Sequence, residues 1–141
     1  MDATTETTLV LVKPDGVRRG LVGEVVGRLE RKKLVLAGVR MLTIDEDLAG
    51  RHYEEHAEKP FFPDLVKFIT SGPVVAIAVR GERAISVVRM LMGATDPKEA
   101  APGTLRGDFG LGMPENLVHG SDGSDSAARE LELYFPDLAR T

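Results

Sequence analysis

The chain of 141 residues has the length of one domain, and 43% hydrophobic with 28% charged residues is the composition of a globular protein. A net charge of -4, from 18 basic and 22 acidic residues, excludes a general attraction to nucleic acids or membrane surfaces, and the lack of cysteine excludes disulfides and thiolate chemistry. No apolar run approaches about 18 residues and the N-terminus has no signal-peptide pattern, so we expect a cytoplasmic protein without a membrane partner. We expect a single domain over residues 1–141.

The predicted elements follow from β-branched runs, helical spacing of apolar residues and Gly or Pro turn signals. Asp45 is an expected helix N-cap, and the run over 73–79 is apolar throughout, as in a central strand. In chain order, the predictions are strand 7–12, turn 13–16, helix 21–33, strand 34–44, helix 45–56, helix 60–69, strand 73–79, helix 83–92, loop 93–115, strand 116–119, turn 120–123 and helix 124–135.

This order of elements predicts an α+β fold of the ferredoxin-like, split βαβ type, in which helices cover a four-stranded antiparallel sheet. The segment 93–115 contains five glycines and three prolines and shows no sustained periodicity. A loop of that length before the last strand is expected to be functional. Because such folds serve enzymes and binding modules alike, the function must be inferred from the site.

His119 ends a predicted strand and precedes the turn at 120–123 and the final predicted helix. Free N–H groups at a helix N-terminus favour a phosphate, and a neutral imidazole is a competent nucleophile. Glu130 shares the inward side of that helix with Leu131, so its carboxylate is expected to pair with an imidazole on the neighbouring strand. Without Glu130, a structural histidine would explain His119 at least as well, and Glu130 shifts the balance toward a functional one.

Cationic and hydroxyl side chains flank the first strand and the long loop. Lys13 follows the strand directly, in Lys-Pro-Asp-Gly, and the chain has no P-loop pattern. Arg89, Thr95 and Arg106 bracket the loop. Together with a helix N-terminus, these are the groups expected of a triphosphate site. By itself, Lys13 is better explained as an exposed lysine at a strand end.

The string from His52 to His56 matches H-x-x-E-H, in which two imidazoles one helical turn apart bind zinc and a glutamate acts as a general base. The pattern is short, and nothing else in the chain indicates a third ligand. We favour a solvated helix with partly exposed histidines here, and keep a metalloprotease as the alternative function.

Six motifs nevertheless occur in order: Lys13-Pro-Asp-Gly16, Lys59-Pro-Phe-Phe62, Ser71-Gly-Pro-Val-Val75, Gly93-Ala-Thr-Asp-Pro97, Pro102-Gly-Thr-Leu-Arg-Gly-Asp-Phe109 and Asn116-Leu-Val-His-Gly-Ser-Asp122. This set strongly resembles the nucleoside diphosphate kinase family, in particular its short bacterial-type members, from about Thr7 to Phe135. The last motif, around His119, is highly specific to that family.

The resemblance implies that His119 takes the γ-phosphoryl group from a nucleoside triphosphate, typically ATP, and passes it to a nucleoside diphosphate in a ping-pong reaction. It implies broad base specificity, because a ring that stacks on the base reads no hydrogen-bond pattern. Carried over by position, the supporting catalytic residues are Glu130, Tyr53 and Ser121, and the nucleotide-binding residues are Lys13, Phe61 (on the base), Arg89, Thr95, Arg106 and Asn116.

The resemblance also implies that Mg²⁺ arrives on the nucleotide phosphates, without a direct protein ligand, and that Asp122 contacts its water shell. Family members assemble as hexamers or, in some short bacterial forms, tetramers, so we expect a homo-oligomer. Glu115 departs from many members, which carry a basic residue at that position, and the departure bears on local nucleotide contacts.

A catalytically silent ferredoxin-like binding module is the remaining alternative, with the motif residues as relics. An RNA-binding version would need a basic face with exposed aromatic rings, whereas the chain has a pI of about 5.4, two Tyr and five Phe. We therefore predict no specific nucleic-acid partner.

Overall fold

The computed structural model describes residues 4–139, which form four strands and eight α-helices. The strands are β1 (Thr5–Val12), β2 (Val35–Leu42), β3 (Val74–Glu82) and β4 (Val118–Gly120). The helices are α1 (Pro14–Arg18), α2 (Val22–Arg31), α3 (Glu46–His52), α4 (Phe62–Ile69), α5 (Ala84–Met92), α6 (Leu105–Phe109), α7 (Ser124–Tyr134) and α8 (Pro136–Ala139), with short 3₁₀ turns at Glu54–His56 and Pro97–Glu99.

The strands form one sheet in the order β2–β3–β1–β4, and every neighbouring pair is antiparallel. Side chains alternate across β1, so that Val10 and Val12 pack with α2 and α5 on one face. Leu9 and Leu11 pack with α3, α4 and α7 on the other face. The predicted ferredoxin-like α+β fold is confirmed.

Strand β4 is short, and it places His119 on the sheet face covered by α7. His119 pairs with Leu11 of β1 in antiparallel register. Its neighbour Val118 packs in the core of the opposite face, so the alternation of side chains turns His119 toward α7. The observed strand begins two residues later and ends one residue later than the predicted strand over 116–119, and His119 lies in its middle.

Three short helices were missed by the sequence analysis. The predicted turn at Lys13–Gly16 is the start of α1, because Pro14 occupies the first helical turn, where its missing N–H is not needed. Helix α6 lies inside the predicted loop 93–115 and is N-capped by Thr104, whose hydroxyl accepts from the N–H of Gly107 at 3.0 Å. Helix α8 follows α7 directly. Helices of four or five residues are too short to show periodicity.

The outer edge of the sheet is formed by β2, which presents Val35, Val39 and Met41 as exposed apolar side chains. An exposed edge strand offers unpaired backbone groups to another chain. No helix within residues 4–139 is long and apolar enough to cross a membrane.

Candidate active site

The His119 imidazole is held by a carboxylate from α7. Its Nε2 lies 2.8 Å from Oε1 of Glu130, and the same oxygen accepts a hydrogen bond from the Ser121 hydroxyl at 2.7 Å. Glu130 is buried and His119 is half-buried. The predicted pairing of these two residues is present, and Ser121 lies beside the pair.

The surroundings of Glu130 keep it ionised. Burial by itself would raise the pKa of this carboxyl group, but the hydrogen bond and charge of His119, together with the Ser121 hydroxyl, outweigh burial and hold the pKa below its ordinary value. Arg129 contributes a guanidinium nitrogen 3.7 Å from Oε2. Arg129 also donates to the Arg51 carbonyl oxygen at 2.9 Å, which ties the end of α3 to α7.

A second imidazole, that of His52, packs edge-on against His119 with ring centroids 4.6 Å apart. Burial, followed by the charge of His119, lowers the pKa of His52 to about 3, so this ring is neutral. Its Nδ1 shares a 3.2 Å hydrogen bond with the Tyr134 hydroxyl. Tyr53 contacts His52 with ring centroids 4.7 Å apart, and burial raises the pKa of Tyr53 to about 12.

This arrangement corrects the interpretation of the H-x-x-E-H string. His52 is buried against His119, whereas His56 packs against Phe61, with ring centroids 5.6 Å apart. Within the described part of the chain, the His and carboxylate atoms that converge belong to His52, His119 and Glu130, all within 4.8 Å of one another. The alternative of a His52–His56 zinc pair is not supported by this arrangement, and the favoured expectation of a solvated helix is wrong for His52.

Lys13 is buried next to the long loop. Its ammonium group donates to Oδ1 of Asn116 at 2.7 Å, and the Asn116 amide donates to the Thr95 carbonyl oxygen at 2.8 Å. Burial, assisted by the charge of Arg106, lowers the pKa of Lys13 to about 8, although Asp15 acts in the opposite direction. The structure therefore excludes an exposed lysine at the strand end.

Arg106, on α6, is bonded to three backbone carbonyls. Its Nε, Nη1 and Nη2 donate to the carbonyl oxygens of Asn116 (3.2 Å), Gly93 (3.0 Å) and Val118 (2.7 Å). A guanidinium has five N–H donors, so two remain for a ligand. Burial and the nearby charge of Arg89 lower the pKa of Arg106 to about 10, which leaves it cationic at neutral pH. Arg106 is thus structural as well as available to an anion.

Arg28, on α2, fixes the segment that carries Arg106. Its guanidinium donates to the Gly103 carbonyl oxygen at 3.0 Å and to Oδ2 of Asp108 at 2.8 Å, and it lies 5.2 Å from the centre of the Phe109 ring. Oδ1 of Asp108 accepts the Gly103 N–H at 2.8 Å. These contacts span both ends of α6 and hold it against α2.

The start of α7 carries an acidic side chain at the pocket. The Ser126 hydroxyl bonds to the Asp122 carboxylate and lowers its pKa, so Asp122 is an ionised oxygen acceptor. Asp122 is exposed, as expected of a group that reaches a ligand through water.

The opposite end of the pocket is apolar and open. Phe61 is 47% exposed and Met113 is 53% exposed. Glu115, the departure noted from the sequence, lies outside the lining residues and faces Arg18, with Nη2 and Oε1 3.8 Å apart and both side chains exposed.

These groups line one pocket of about 380 Å³. It brings together ten of the predicted residues: Lys13, Tyr53, Phe61, Arg89, Thr95, Arg106, Asn116, His119, Asp122 and Glu130. A larger cavity of about 800 Å³, lined by residues including Thr5, Arg80 and Leu131, contains none of them. We place the site in the smaller pocket because it combines a held imidazole with clustered cations.

Sequence reasoning missed four contributors to this pocket and its walls: His52 as the partner of His119, Arg129, Met113 and Asp15. Asp15 is buried and its Oδ2 accepts the N–H of Leu117, which has a left-handed backbone with φ of 73°. The sequence did contain a signal for two of them: Asp15 lies within the Lys-Pro-Asp-Gly motif, and Arg129 directly precedes Glu130. The roles of His52 and Met113 depend on tertiary contacts.

Comparisons with known proteins agree with this geometry. The family model described as nucleoside diphosphate kinase matches residues 6–139. Nucleoside diphosphate kinases from Thermobifida fusca and Rubrobacter xylanophilus are 60% and 63% identical, over 95% and 92% of this chain and 99% and 98% of their own lengths.

Two solved structures superpose closely. The halophilic nucleoside diphosphate kinase of Halobacterium salinarum, in complex with CDP, has a TM-score of 0.92 and 54% identity over 95% of this chain and 90% of its own. A transition state mimic of the Borrelia burgdorferi enzyme, with bound vanadate and ADP, has a TM-score of 0.90 and 40% identity over 98% and 91%. A family match over nearly the whole chain, around a pocket with a held histidine and clustered cations, leads to one conclusion: this chain belongs to the nucleoside diphosphate kinase family.

Proposed function

We propose that His119 carries the phosphoryl group between a nucleoside triphosphate and a nucleoside diphosphate, and that residues 1–141 act as one domain in doing so. The observation that carries the proposal is the bond between Nε2 of His119 and Glu130 at 2.8 Å. An ionised Glu130 favours the tautomer with the proton on Nε2, which leaves the lone pair of Nδ1 for a phosphorus atom.

In the first half-reaction, Nδ1 of His119 attacks the γ-phosphorus. The N–P bond forms as the bond from phosphorus to the β,γ-bridging oxygen breaks, and the nucleoside diphosphate leaves with the electron pair. In the second half-reaction, a terminal β-phosphate oxygen of another diphosphate attacks the same phosphorus and the N–P bond breaks. Glu130 stabilises the positive charge that the imidazole gains, and Ser121 and Arg129 hold Glu130 in place.

The cations of the pocket neutralise the phosphate oxygens. Lys13, Arg89 and Arg106 line it together, and two guanidinium N–H donors of Arg106 are not used by backbone carbonyls. Asn116 and Thr95, joined by their own hydrogen bond, line the same wall and bind the phosphates and ribose. Positioned charges of this kind supply most of the catalysis of phosphoryl transfer.

A divalent cation, Mg²⁺ in this proposal, enters with the nucleotide. The donor set of the pocket fits that role, because the ionised Asp122 offers a carboxylate to a hydrated ion, while Glu130 is already bonded to His119. When bound, the ion would neutralise charge on the phosphates. Asp122 would hold the hydrated ion through its water, and the imidazole chemistry belongs to His119 and Glu130.

Phe61 provides a platform for the base. A half-exposed ring at the open end of the pocket stacks on any nucleobase, so the substrates are nucleoside tri- and diphosphates in general, with ATP the typical donor. This property supports a role in maintaining nucleoside triphosphate pools in the cytoplasm.

The working form is a homo-oligomer. The exposed apolar residues Val35, Val39 and Met41 on edge strand β2 support association through this edge. Sedimentation equilibrium at micromolar concentration distinguishes a hexamer from a tetramer, and a monomeric mass would contradict this part of the proposal.

The decisive experiment is incubation with γ-labelled ATP and Mg²⁺, followed by intact mass and peptide mapping. We expect one acid-labile, base-stable phosphate on residue 119, which added GDP removes as GTP. Mapping is required because His52 and His56 line the same pocket.

The matched variant is His119→Gln, with its fold checked by circular dichroism and its nucleotide binding by calorimetry. Label on this variant would contradict the assignment of His119. Folded wild-type protein that binds ATP but neither acquires label nor transfers it would instead be a silent binding module.

A further inference from the structure

His56 belongs to the pocket wall, but neither the phosphoryl transfer nor the phosphate binding uses it. It ends the 3₁₀ turn Glu54–His56, and hydrogen bonds fix its backbone on both sides: its N–H donates to the Tyr53 carbonyl oxygen at 2.8 Å, and its carbonyl oxygen accepts the Lys59 N–H at 2.9 Å. The turn therefore fixes the backbone from which the side chain extends.

The contacts of the His56 side chain are aromatic. Its ring lies 5.6 Å from the ring of Phe61, with the planes inclined at 52°, and 6.3 Å from the ring of Tyr53, inclined at 47°. Its Nδ1 is enclosed and has no hydrogen-bond partner. A buried nitrogen without a partner stabilises nothing, so the contribution of this side chain comes from the surface of the ring.

The exposed Phe61 ring needs such a neighbour. Among residues 4–139, His56 is the aromatic side chain that packs against it, whereas Tyr53 on the other side of His56 is buried in the core. A half-exposed side chain without a fixed neighbour populates several rotamers, and ordering it on binding costs free energy. His56 thus connects the exposed Phe61 ring to the buried Tyr53 ring.

We propose that His56 is a positioning residue for nucleoside binding, whose ring holds Phe61 in the orientation that stacks on the base. This inference rests on the proposed function, because it assigns the base to Phe61. It makes His56 a determinant of affinity for the nucleoside and leaves the phosphoryl-transfer step to the opposite end of the pocket.

The test compares three substitutions of His56 in affinity and turnover. We expect His56→Ala to raise Kd and KM for nucleoside diphosphates roughly two- to ten-fold, the loss of one aromatic pair, with kcat changed less than about two-fold. His56→Phe, which keeps a ring, restores affinity, and His56→Gln, which keeps a polar group, does not. Rescue by Gln and not by Phe would overturn the inference.

Two controls separate positioning from general loosening of the fold. Calorimetry with inorganic tripolyphosphate, which has no base, should give the same Kd for wild type and His56→Ala, and an equal loss for both ligands would contradict a role at the base. In a Phe61→Leu background, His56→Ala should add no further loss, since it acts through Phe61. Additive losses of affinity would show that His56 does not act through Phe61 and would contradict the inference.

Phosphoryl transfer by the wild-type protein, measured in the same preparation, distinguishes failure of the His56 inference from failure of the proposed function. If wild type transfers phosphoryl groups and the His56 variants match it in KM and Kd, the inference about His56 fails alone. If wild type shows no transfer, the proposed function fails first.

Discussion

The two ends of the pocket differ in how firmly they are built. At the phosphate end, Lys13, Arg106 and Asn116 are each less than 10% exposed and bonded to one another or to the backbone. At the base end, Phe61 and Met113 are about half exposed. In the proposed function, the buried end binds the phosphates, which all nucleotides share, and the open end receives the base, in which they differ. The comparison explains how one such site would select for the phosphates and accept different bases.

Among the predictions that test this difference between the two ends, removal of Arg106 has the largest expected effect. We expect Arg106→Ala to lower kcat by about 10²-fold or more, because charge stabilisation at the phosphate is lost. It should also lower the free energy of unfolding by about 2–4 kcal/mol, since three carbonyls lose their donor.

Steady-state kinetics and urea denaturation measure the two effects of Arg106→Ala. Arg31→Ala, an exposed arginine of α2, is the matched control and should change neither quantity. Full stability of Arg106→Ala would show that its carbonyl bonds do not hold the loop.

Alkaline pH tests the phosphate end with a smaller effect, because it removes the charge of Lys13 without changing a residue. Nucleotide phosphates bind the ammonium form of Lys13, whose pKa is lowered to about 8, so kcat/KM should be halved near pH 8 and fall about ten-fold per pH unit well above it. A bound phosphate raises the pKa of Lys13, so kcat at saturation should decline at higher pH than kcat/KM.

Lys13→Arg keeps its charge above pH 10 and is the control for the alkaline decline. The decline should disappear in this variant, even if its overall rate is lower. Direct observation of the Lys13 side-chain nitrogen by NMR should give a midpoint near 8, and a midpoint near the ordinary 10.5 would contradict the buried ammonium.

Exchange of the base is expected to have the smallest effect. The kcat/KM values for ADP, GDP, CDP and UDP as acceptors should agree within about ten-fold, because stacking distinguishes bases weakly. AMP, which lacks the β-phosphate, should accept no phosphoryl group. Coupled assays with one common donor measure all five, and a base preference above about 100-fold would show that the open end reads the base by hydrogen bonds.

Much of the fold could be predicted because its long elements carry clear periods. The apolar run of β3 and the amphipathic α2 and α7 were each recognised within a few residues. The short helices α1, α6 and α8 were not, since four or five residues make little more than one turn and are stabilised by caps and neighbours. Thr104, an N-cap residue before α6, was the local signal that could have been used.

The site was predictable where function requires a residue type in a local motif, as with Glu130 on the inward side of α7. It was not predictable where function depends on a distant contact. The burial of His52 against His119 joins residues from α3 and β4, whereas the sequence around His52 favoured a solvated helix, with a zinc site as the alternative. The carbonyl bonds of Arg106 likewise depend on a loop conformation that no local pattern encodes.

The bond between Lys13 and Asn116 joins side chains 103 positions apart, and the Asp15–Leu117 bond joins groups 102 positions apart. Strand β4, which carries His119, is the last to enter the sheet in chain order, and Glu130 follows it on α7. Contacts of such long separation carry a loop-closure cost before they form. On the ribosome, a nascent chain gains His119 and the carboxylate of Glu130 that holds it only after most of the core has been synthesised, so catalytic activity is a sign of a finished fold.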